Sequence, residues 1–500
     1  MTILFSMRHS GALRNFASTI RALAEAGHRI HLVFMMADKR GDGRLLRELT
    51  SEHAGITHAF GPDPKVRGFW SPLRRATRTG GDYVRYWTPE YAAAHALRGR
   101  AAARVPALLR SVLDRRFLRT PAGLSLAARA FEAVERAIPT DRRVVDLLTA
   151  VRADLVLVTP LVDLGSDQVE YVKAARELGI PCGLAVHSWD NLTNKGVLRV
   201  LPDRVFVWNE AQKREAVTMH RAAPDAVVVT GAPVYDQWFS RRPSTSRDEF
   251  CDRAGLRADR PFLLYLCSSA FIASDEAAFV EKWIAAVRSA ADARLREAGI
   301  LVRPHPDNPW PWHDFDAGRF ANVAVWPRGG VEPIDQASRN DYFDSIHHAA
   351  AAIGINTSAQ IEAGIVGRPV YSLRTPEYTA TQDGTLHFQY LLNDGGGLLH
   401  VADSLEQHLG DLAAALCRSE TDEPRAAGFV RTFVRPHGLD RPATPRLAAA
   451  IEALGASRRA SERPLVATQA ARLLLYPVAA AMNAGQDRRR KKAKVRLLFT

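Results

Sequence analysis

The stretch most suggestive of chemistry is residues 354–362, which read GINTSAQIE. An apolar run at residues 351–353 predicts a buried strand, and Asn356 or Thr357 is typical of a helix N-terminus, with Gln360 completing a capping box from Thr357. Such a helix begins with several unpaired backbone N–H groups that, together with the helix dipole, favour an anion. The pattern therefore predicts a turn at which a nucleotide phosphate can bind.

Two further side chains of this segment fit the same hypothesis. Ser358 lies in the turn itself, and Glu362 follows about one turn into the helix, where its carboxylate can accept hydrogen bonds from a ribose. Gly367 and Pro369 then stop the helix before the next strand. An ordinary strand–helix–strand crossover with a surface glutamate would show the same pattern, so both interpretations stay open.

A second candidate is the loop after residues 300–302, which reads Arg303, Pro304, His305 and Pro306. The apolar strand before it would place the loop at the carboxyl end of a sheet. There the guanidinium of Arg303 can bind a diphosphate, and the imidazole of His305 can protonate a departing phosphate oxygen. A histidine between two prolines can equally be structural.

The first half of the chain offers candidate bases. His187 and Asp190 follow a predicted strand at residues 181–186, where either side chain could take a proton from a hydroxyl group. Asp190 could instead form the local hydrogen bonds that aspartates commonly make in turns. His9 and Gly11 occupy the turn after a first strand at residues 2–5. Gly11 would allow close approach of the backbone, and His9 could be the base.

The loop at residues 381–387 follows the strand after the predicted nucleotide helix. Its Gln382 and Thr385 could reach the hydroxyl groups of a sugar, or the loop could be a turn and nothing more. The sequence contains no HExxH, paired CxxC, P-loop lysine or clustered Asp-x-Asp motif. We therefore expect no metal and no cofactor apart from a nucleotide co-substrate, with the helix dipole and arginines replacing a cation.

These residues are separated by alternating strand-like and helical patterns, which are typical of α/β units with parallel sheets. We predict two Rossmann-like, doubly wound domains, at residues 1–240 and 255–420, enclosing a cleft at the carboxyl ends of their strands. Residues 60–150 would form a helical insertion in the first domain. From 421 to 500 the chain is predicted to form helices and a basic tail, which could cross back over the first domain.

The formal charge of +13 is concentrated in two stretches. Residues 67–143 hold 16 arginines against 6 acidic residues, and residues 488–496 hold 7 basic residues and no acid. This asymmetry indicates an anionic partner such as a phosphate substrate or an acidic membrane face, whereas nucleic acid is not expected because no binding module is present. Arginines that merely solvate helix surfaces are the alternative.

The apolar segment at residues 465–484 is directly followed by the basic tail. Pro477 and Arg472 make a membrane span unfavourable, but the segment could lie on an anionic membrane surface or remain a solvated tail. The four scattered cysteines suggest neither a disulfide framework nor a zinc site, and the amino terminus reads as a first strand and not as a signal peptide. We expect a cytoplasmic protein that can attach peripherally to the inner face of the membrane.

Over residues 1–420 the chain resembles the GT-B glycosyltransferase superfamily, and in particular its branch of UDP-N-acetylglucosamine 2-epimerases and CDP-glycerol glycerophosphotransferases. Three segments carry the resemblance: residues 228–236, the His305 loop, and the helix from Ser358 to Glu362 with its exit at residues 367–370. The resemblance implies that Thr357, Ser358 and Glu362 bind the donor phosphate and ribose, and that His305 contacts the diphosphate.

The resemblance implies a metal-independent transferase that moves a sugar from a nucleotide-sugar donor to a cell-surface polysaccharide or lipid-linked acceptor. Residues 187–191 do not match the acidic motif of the epimerases, which disfavours epimerase chemistry. Alternatives that stay open are a CDP-polyol phosphotransferase of teichoic-acid-like polymer synthesis, a UDP-sugar 2-epimerase-like enzyme, and a non-catalytic scaffold of the same fold.

Overall fold

The computed structural model describes residues 1–37, 43–62, 68–417, 424–457, 459–462 and 466–498, without the side chains of 424, 466 and 486–498. The chain divides into two compact units. Unit 1 comprises Met1–Thr230 and Pro445–Thr500, and unit 2 comprises Gly231–Thr444. These divisions, at 230/231 and 444/445, differ from the boundaries of the predicted segments 1–240, 255–420 and 421–500.

Unit 1 is built on a seven-stranded parallel sheet in the order β3-β2-β1-β4-β5-β6-β7. Its central strands are mostly apolar because helices cover both faces of the sheet, and every residue of the first and fourth strands is buried. The strands are β1 (Thr2–Met7), β2 (Arg29–Phe34), β3 (Ile56–Phe60), β4 (Leu155–Thr159), β5 (Cys182–Ala185), β6 (Arg204–Val207) and β7 (Val227–Val229).

The helices of unit 1 include the predicted insertion, which separates the third strand from the fourth. The helices are α1 (Ala17–Glu25), α2 (Arg44–Glu52), α3 (Ser71–Arg85), α4 (His95–Ala102), α5 (Ala107–Leu113), α6 (Pro121–Ala137), α7 (Arg142–Val151), α8 (Val169–Leu178), α9 (Asn191–Asn194) and α10 (Glu210–Thr218), with 3-10 turns at Ser10–Asn15, Pro89–Tyr91, Arg116–Arg119 and Pro224–Ala226.

Buried ion pairs attach the insertion to the sheet domain. The guanidinium of Arg78 on α3 is fully buried and lies 2.8 Å from the carboxylate of Glu135 on α6. It also pairs with Glu170 on α8 and, at 2.9 Å, with Asp167 just before α8. These contacts join two insertion helices to a helix of the sheet domain.

Unit 2 is built on a six-stranded parallel sheet in the order β10-β9-β8-β11-β12-β13. Its strands are β8 (Phe262–Leu266), β9 (Gly299–Arg303), β10 (Val323–Val325), β11 (Ala351–Ile353), β12 (Val370–Leu373) and β13 (Leu399–Ala402). Its helices are α11 (Asp236–Ser240), α12 (Arg247–Ala254), α13 (Glu276–Arg288), α14 (Ala293–Glu297), α15 (Gln336–His347), α16 (Ala359–Ile365), α17 (Phe388–Asn393), α18 (Leu405–Ala415) and α19 (Pro424–Phe429), with a π turn at Val430–Val434 and 3-10 turns at Pro233–Tyr235, Trp310–Trp312, Ala317–Arg319 and Asp394–Gly396.

The predicted fold class, two Rossmann-like α/β domains, is confirmed by these two parallel sheets. Residues 276–297 form two helices and not one continuous helix. The first is α13. It ends at Arg288, and Asp292 starts a new helix because its side chain accepts hydrogen bonds from the backbone N–H groups of Arg294 and Leu295.

Two last helices, α20 (Ala443–Ala456) and α21 (Val466–Leu498), complete the chain. One face of α21 packs against the insertion, where Leu475 and Met482 contact a cluster formed by Leu73, Ile138 and Ala479. None of the described helices combines the length and apolar character needed to cross a bilayer. The side chains of the basic run at 488–496 lie outside the described residues.

Candidate functional site

The turn after β11 is held close to the end of the neighbouring strand β8. A Cβ atom on Gly354 would lie 2.9 Å from the backbone oxygen of Leu266, so only glycine fits here without a shift. Half of the expected capping box forms, because the backbone N–H of Thr357 donates to Gln360 Oε1 at 3.2 Å. The hydroxyl of Thr357 accepts instead from the N–H of Ala359 at 3.4 Å. Ser358 is exposed at the start of the seven-residue helix α16.

Asn356 points into the protein. Its side-chain nitrogen donates to the backbone oxygen of Thr381 at 2.7 Å and to the hydroxyl of Thr385 at 3.3 Å. These amide donors hold the loop after β12 against the turn after β11.

Gln382 and Thr385 also have internal positions, and both are completely buried. The Gln382 amide donates to the backbone oxygens of Ile355 and Leu373, and the Thr385 hydroxyl donates to the backbone oxygen of Gln382 at 2.8 Å. The prediction that they reach sugar hydroxyl groups is therefore not supported. Their observed contacts instead fix the two loops that carry the predicted nucleotide site.

Arg303 and Glu362 are joined through one tyrosine that the sequence analysis did not single out. The Tyr342 hydroxyl donates to the Glu362 carboxylate, and the guanidinium of Arg303 lies over the Tyr342 ring, 4.9 Å from its centroid. Arg303 also pairs with Asp341 at 3.0 Å and is only 6% exposed. Burial lowers the pKa of Arg303, and the carboxylate of Asp341 partly offsets that effect.

These contacts change the expected role of Arg303. Its charge is balanced by a carboxylate and its side chain is buried, so direct binding of a diphosphate by Arg303 is not supported. Its contacts position α15 and, through the Tyr342 hydroxyl, orient Glu362.

His305 follows β9 at the carboxyl edge of the sheet and is half-buried. Its Nδ1 accepts a hydrogen bond from the backbone N–H of Asp307 at 3.0 Å, which requires the proton of the neutral ring to be on Nε2. Gly330 supports this loop closely, since a Cβ there would lie 3.0 Å from the backbone oxygen of His305. The Nε2–H tautomer is the form that can donate to a phosphate oxygen.

A buried carboxyl group lies behind this edge and was also missed from the sequence. Glu276 at the start of α13 accepts from the backbone N–H of Ser268 at 2.6 Å and from the hydroxyl of Tyr265 at 3.2 Å. Burial raises the pKa of Glu276 to about 8, against the opposing effect of these two hydrogen bonds. The Ser268 hydroxyl in turn accepts from the backbone N–H of Asn356 at 3.5 Å. Glu276 thus helps to fix the loop after β8.

Because β9, β8 and β11 are neighbours in unit 2, their carboxyl ends bring three segments to one edge of the sheet. These segments are the His305 loop, the loop containing Ser268, and the turn at residues 356–358. No group of three or more metal-ligating side chains occurs among the residues that the structure describes. The groups present at this edge, an imidazole, hydroxyl groups and backbone N–H groups, can donate hydrogen bonds to an anion.

Unit 1 has a second polar cluster at the carboxyl ends of β1, β4 and β5. Asp163 lies 2.8 Å from Arg8 and 3.3 Å from Lys195. Although desolvation opposes it, the charges of Lys195 and Arg8 lower the pKa of Asp163. His187 Nδ1 lies 3.0 Å from the Thr159 hydroxyl. Desolvation, followed by the charge of Lys195, lowers the pKa of His187 to about 4, so its ring is neutral at physiological pH.

The other candidates of unit 1 lie at this same edge. The Asp190 carboxylate accepts from the Ser188 hydroxyl at 2.6 Å and Asp190 is the N-cap residue of α9. His9 follows β1 and precedes the 3-10 turn Ser10–Asn15, which contains Gly11. The structure therefore places His9 after β1 and both His187 and Asp190 after β5, with β4 between these two strands. Asp163 is the charged residue there that the sequence analysis missed, although its place shortly after a strand could have revealed it.

Known structures share this fold at low sequence identity. A glycosyltransferase from Rickettsia africae has a TM-score of 0.51 at 10% identity, covering 91% of this chain and 98% of that one. The Staphylococcus aureus MnaA protein in its UDP co-structure has a TM-score of 0.50 at 13% identity, covering 93% and 100%. UDP-GlcNAc 2-epimerase from Neisseria meningitidis bound to UDP-GlcNAc has a TM-score of 0.49 at 13% identity, covering 90% and 100%.

Searches with protein-family models and among curated proteins give no match to this sequence. The structural similarity, which spans more than nine-tenths of the chain for the first two proteins, establishes the fold. The expected GT-B architecture, with two Rossmann-like domains, is thereby confirmed.

Proposed function

We propose that this protein is a glycosyltransferase that moves a sugar from a nucleotide-sugar donor to a hydroxyl group of a polysaccharide or lipid-linked acceptor. The observation that carries the proposal is the edge of unit 2 where His305, in its Nε2–H form, follows β9 and the turn at residues 356–358 follows β11. Support for a nucleotide ligand comes from the fold, because the Staphylococcus aureus structure contains UDP and the Rickettsia africae protein is a glycosyltransferase.

The donor would bind to unit 2. Its diphosphate would accept hydrogen bonds from His305 Nε2–H, from the Ser358 hydroxyl and from backbone N–H groups of the turn, and its ribose would contact Glu362, whose carboxylate is oriented by Tyr342. These donors stabilise the charge that develops on the diphosphate as it leaves, so the reaction would need no metal.

In the transfer step the acceptor oxygen forms a bond to the anomeric carbon, and the bond from that carbon to the diphosphate oxygen breaks. The electron pair leaves with the nucleoside diphosphate, and His305 can donate a proton to it. The proton of the acceptor hydroxyl passes to a base. The candidates predicted from the sequence are Asp190, His187 and His9, which all lie at the carboxyl edge of the sheet of unit 1.

Substitutions separate these bases. If His187 is the base, the rate should fall as pH decreases through about 4, because a protonated ring cannot accept the proton. The isosteric variants Asp190→Asn, His187→Gln and His9→Gln should then differ, with only the true base causing a large loss of kcat. A His187→Gln enzyme with unchanged kcat would exclude His187.

A peripheral location at the inner face of the membrane is part of the proposal. Three apolar side chains of α21, Leu473, Leu474 and Val478, are exposed, whereas the opposite face of this helix packs on the insertion. Seven basic residues without an acid follow at 488–496. Such a combination favours adsorption to an anionic membrane surface, where a lipid-linked acceptor would be found.

The decisive experiment incubates the protein with UDP-, GDP- and CDP-linked donors and membrane acceptors, and identifies the product by mass spectrometry. We expect a glycosidic product with at least one donor. His305→Gln should lower kcat by about a hundredfold or more while the protein remains folded. The control is His313→Gln, an exposed histidine of unit 2 outside the predicted site. Equal activity of His305→Gln and wild type would refute the role of His305.

The same product analysis separates the alternatives. A phosphodiester product would indicate a CDP-polyol phosphotransferase, and a donor epimerised in the absence of acceptor would indicate an epimerase-like enzyme. Absence of both turnover and nucleotide binding would indicate a scaffold.

A further inference from the structure

Unit 1 contains a cavity of about 370 Å³ between the insertion and the sheet domain. It lies at the carboxyl edge of the sheet, because Met35 follows β2, Pro62 follows β3, and Leu164 and Gly165 follow β4. The remaining wall comes from α3, from Arg104 just beyond α4, from the start of α7, and from α8 with Asp167 before it. Four arginines line it: Arg74, Arg75, Arg104 and Arg143.

The carboxylates of this wall are already paired with arginines. Asp141 lies 2.8 Å from Arg143 and 3.2 Å from Arg74, and although burial opposes it, these partners lower the pKa of Asp141 to about 2. Glu170 is paired with Arg74 at 3.5 Å and with the buried Arg78. The carboxylates thus hold the guanidinium groups in position, and the arginines neutralise the negative charge that would otherwise repel an anion.

A charge count over the cavity wall and the buried groups behind it leaves an excess of cations. The cations are Arg74, Arg75, Arg78, Arg104, Arg143 and Lys173, and the anions are Glu135, Asp141, Asp167 and Glu170, so six minus four gives +2. The excess corresponds to Arg75 and Arg104. Both are exposed, and neither forms an ion pair with an acidic residue that the structure describes.

Neutral donors complete the wall. Tyr171 is completely buried, and its hydroxyl has no hydrogen-bond partner among the described residues. Ser71 lines the cavity at the start of α3. Guanidinium groups with hydroxyl donors are the combination that recognises phosphate oxygens, which accept several charge-assisted hydrogen bonds at once.

We propose that this cavity, which we call the arginine pocket, binds a phosphate group of the acceptor substrate. The inference rests on the proposed transferase function and names the acceptor class: a glycan or lipid carrying a phosphate. Leu164 and Gly165 of the pocket directly follow Asp163 of the polar cluster that contains His187. A phosphate held by Arg75 and Arg104 would therefore anchor the acceptor beside the edge at which the candidate bases lie.

The phosphate can belong to a soluble sugar phosphate or to a lipid headgroup, and two probes distinguish these sources. Pyrophosphate is titrated into the full-length protein by calorimetry. Separately, binding is measured to phosphatidylcholine vesicles with and without a polyprenyl phosphate. We expect pyrophosphate to bind and Arg75→Gln with Arg104→Gln to weaken that binding about tenfold or more, with weaker binding at higher salt.

Two matched variants control for other causes. Arg116→Gln removes an exposed arginine of the same insertion that does not line the pocket, and it should leave pyrophosphate binding unchanged. His313→Gln, at an exposed histidine of unit 2 outside the predicted donor site, should also leave it unchanged. If the double variant additionally loses its preference for polyprenyl phosphate vesicles, the phosphate belongs to a lipid; if only pyrophosphate binding falls, it belongs to a soluble substrate.

Absence of pyrophosphate binding by the wild type, or equal binding by the double variant, would overturn the arginine pocket as a phosphate site. The single variant Arg75→Gln, whose exposed side chain makes no ion pair with a described acidic residue, serves if the double variant does not fold. Titration of UDP keeps the two proposals apart. If UDP binds but pyrophosphate does not bind to the arginine pocket, the transferase proposal stands. If pyrophosphate binds to the arginine pocket but no nucleotide binds and no donor is turned over, the transferase proposal is refuted and the anion site stands.

Discussion

Glu276→Gln tests whether a protonated carboxyl group supports the predicted nucleotide site. Glu276 is almost completely buried behind the loop after β8, and burial raises its pKa to about 8 from a reference value of 4.5. Glutamine can replace the protonated acid, because its amide oxygen can accept from the Ser268 N–H. Its NH2 group, like the acid proton, can donate to the Tyr265 oxygen once that hydroxyl rotates from the donor role it has toward the carboxylate.

The sign of the pH effect follows from linkage. In the folded protein Glu276 is protonated below about pH 8, whereas in the unfolded chain it ionises above 4.5. The contribution of protonated Glu276 to the free energy of unfolding is therefore fully present below pH 4.5 and is lost as the pH rises through about 8. At 1.36 kcal/mol per unit, the wild type should lose about 2 kcal/mol of this contribution between about pH 6 and pH 8, and the variant none.

The assay is urea unfolding of wild type and Glu276→Gln at several pH values. His187 and His408, each with a pKa lowered to about 4 chiefly by desolvation, change stability in the opposite sense over part of this range. They do so equally in both proteins, so the difference in unfolding free energy isolates Glu276. A difference that does not change with pH would show that Glu276 is ionised in the fold and would refute the reasoning.

Three further predictions concern other parts of the chain. Arg78→Met should lower the free energy of unfolding, measured in urea, by about 3–5 kcal/mol, because it leaves buried carboxylates without their main partner. The control Arg142→Met breaks an exposed pair with Glu177 and should cost less than about 1 kcal/mol. Similar losses in the two variants would contradict the buried network. Tyr342→Phe keeps the ring beneath Arg303 but loses the hydrogen bond to Glu362. Calorimetry should therefore show nucleotide affinity reduced about tenfold. An unchanged affinity would exclude a role for Glu362, oriented by Tyr342, in binding the nucleotide. Leu473→Ser with Leu474→Ser should reduce co-sedimentation with anionic vesicles, while the exposed Leu405→Ser of unit 2 should not; equal reductions would argue against α21 as the contact surface.

The strands and their order along the chain were predictable because parallel strands buried on both faces leave continuous apolar runs in the sequence. The position of His305 after β9 followed from the same pattern. The tautomer of His305 could not be predicted, since that tautomer depends on one hydrogen bond from the backbone N–H of Asp307.

The hydrogen-bond and ion-pair partners of the site residues could not be predicted, because tertiary packing determines them. Arg303 looked like a phosphate ligand, but Asp341, 38 positions later on a helix that the sequence pattern did not reveal, pairs with it. Gln382 and Thr385 looked like loop residues that face a ligand, but both are buried. Gln382 donates to the backbone oxygen of Ile355 in the neighbouring turn, and Thr385 donates to the backbone oxygen of Gln382 in its own loop. Polar residues give no periodic signal that separates such inward positions from ligand-facing ones.

The measurement that tests the central claim most directly is calorimetric titration of UDP, GDP and CDP into the wild type and into His305→Gln. If unit 2 binds the donor at the edge formed by β9, β8 and β11, at least one nucleotide should bind with micromolar affinity, and His305→Gln should weaken that binding about tenfold. Absence of binding by all three nucleotides, or equal affinities of the wild type and the variant for the nucleotide that binds, would contradict the account.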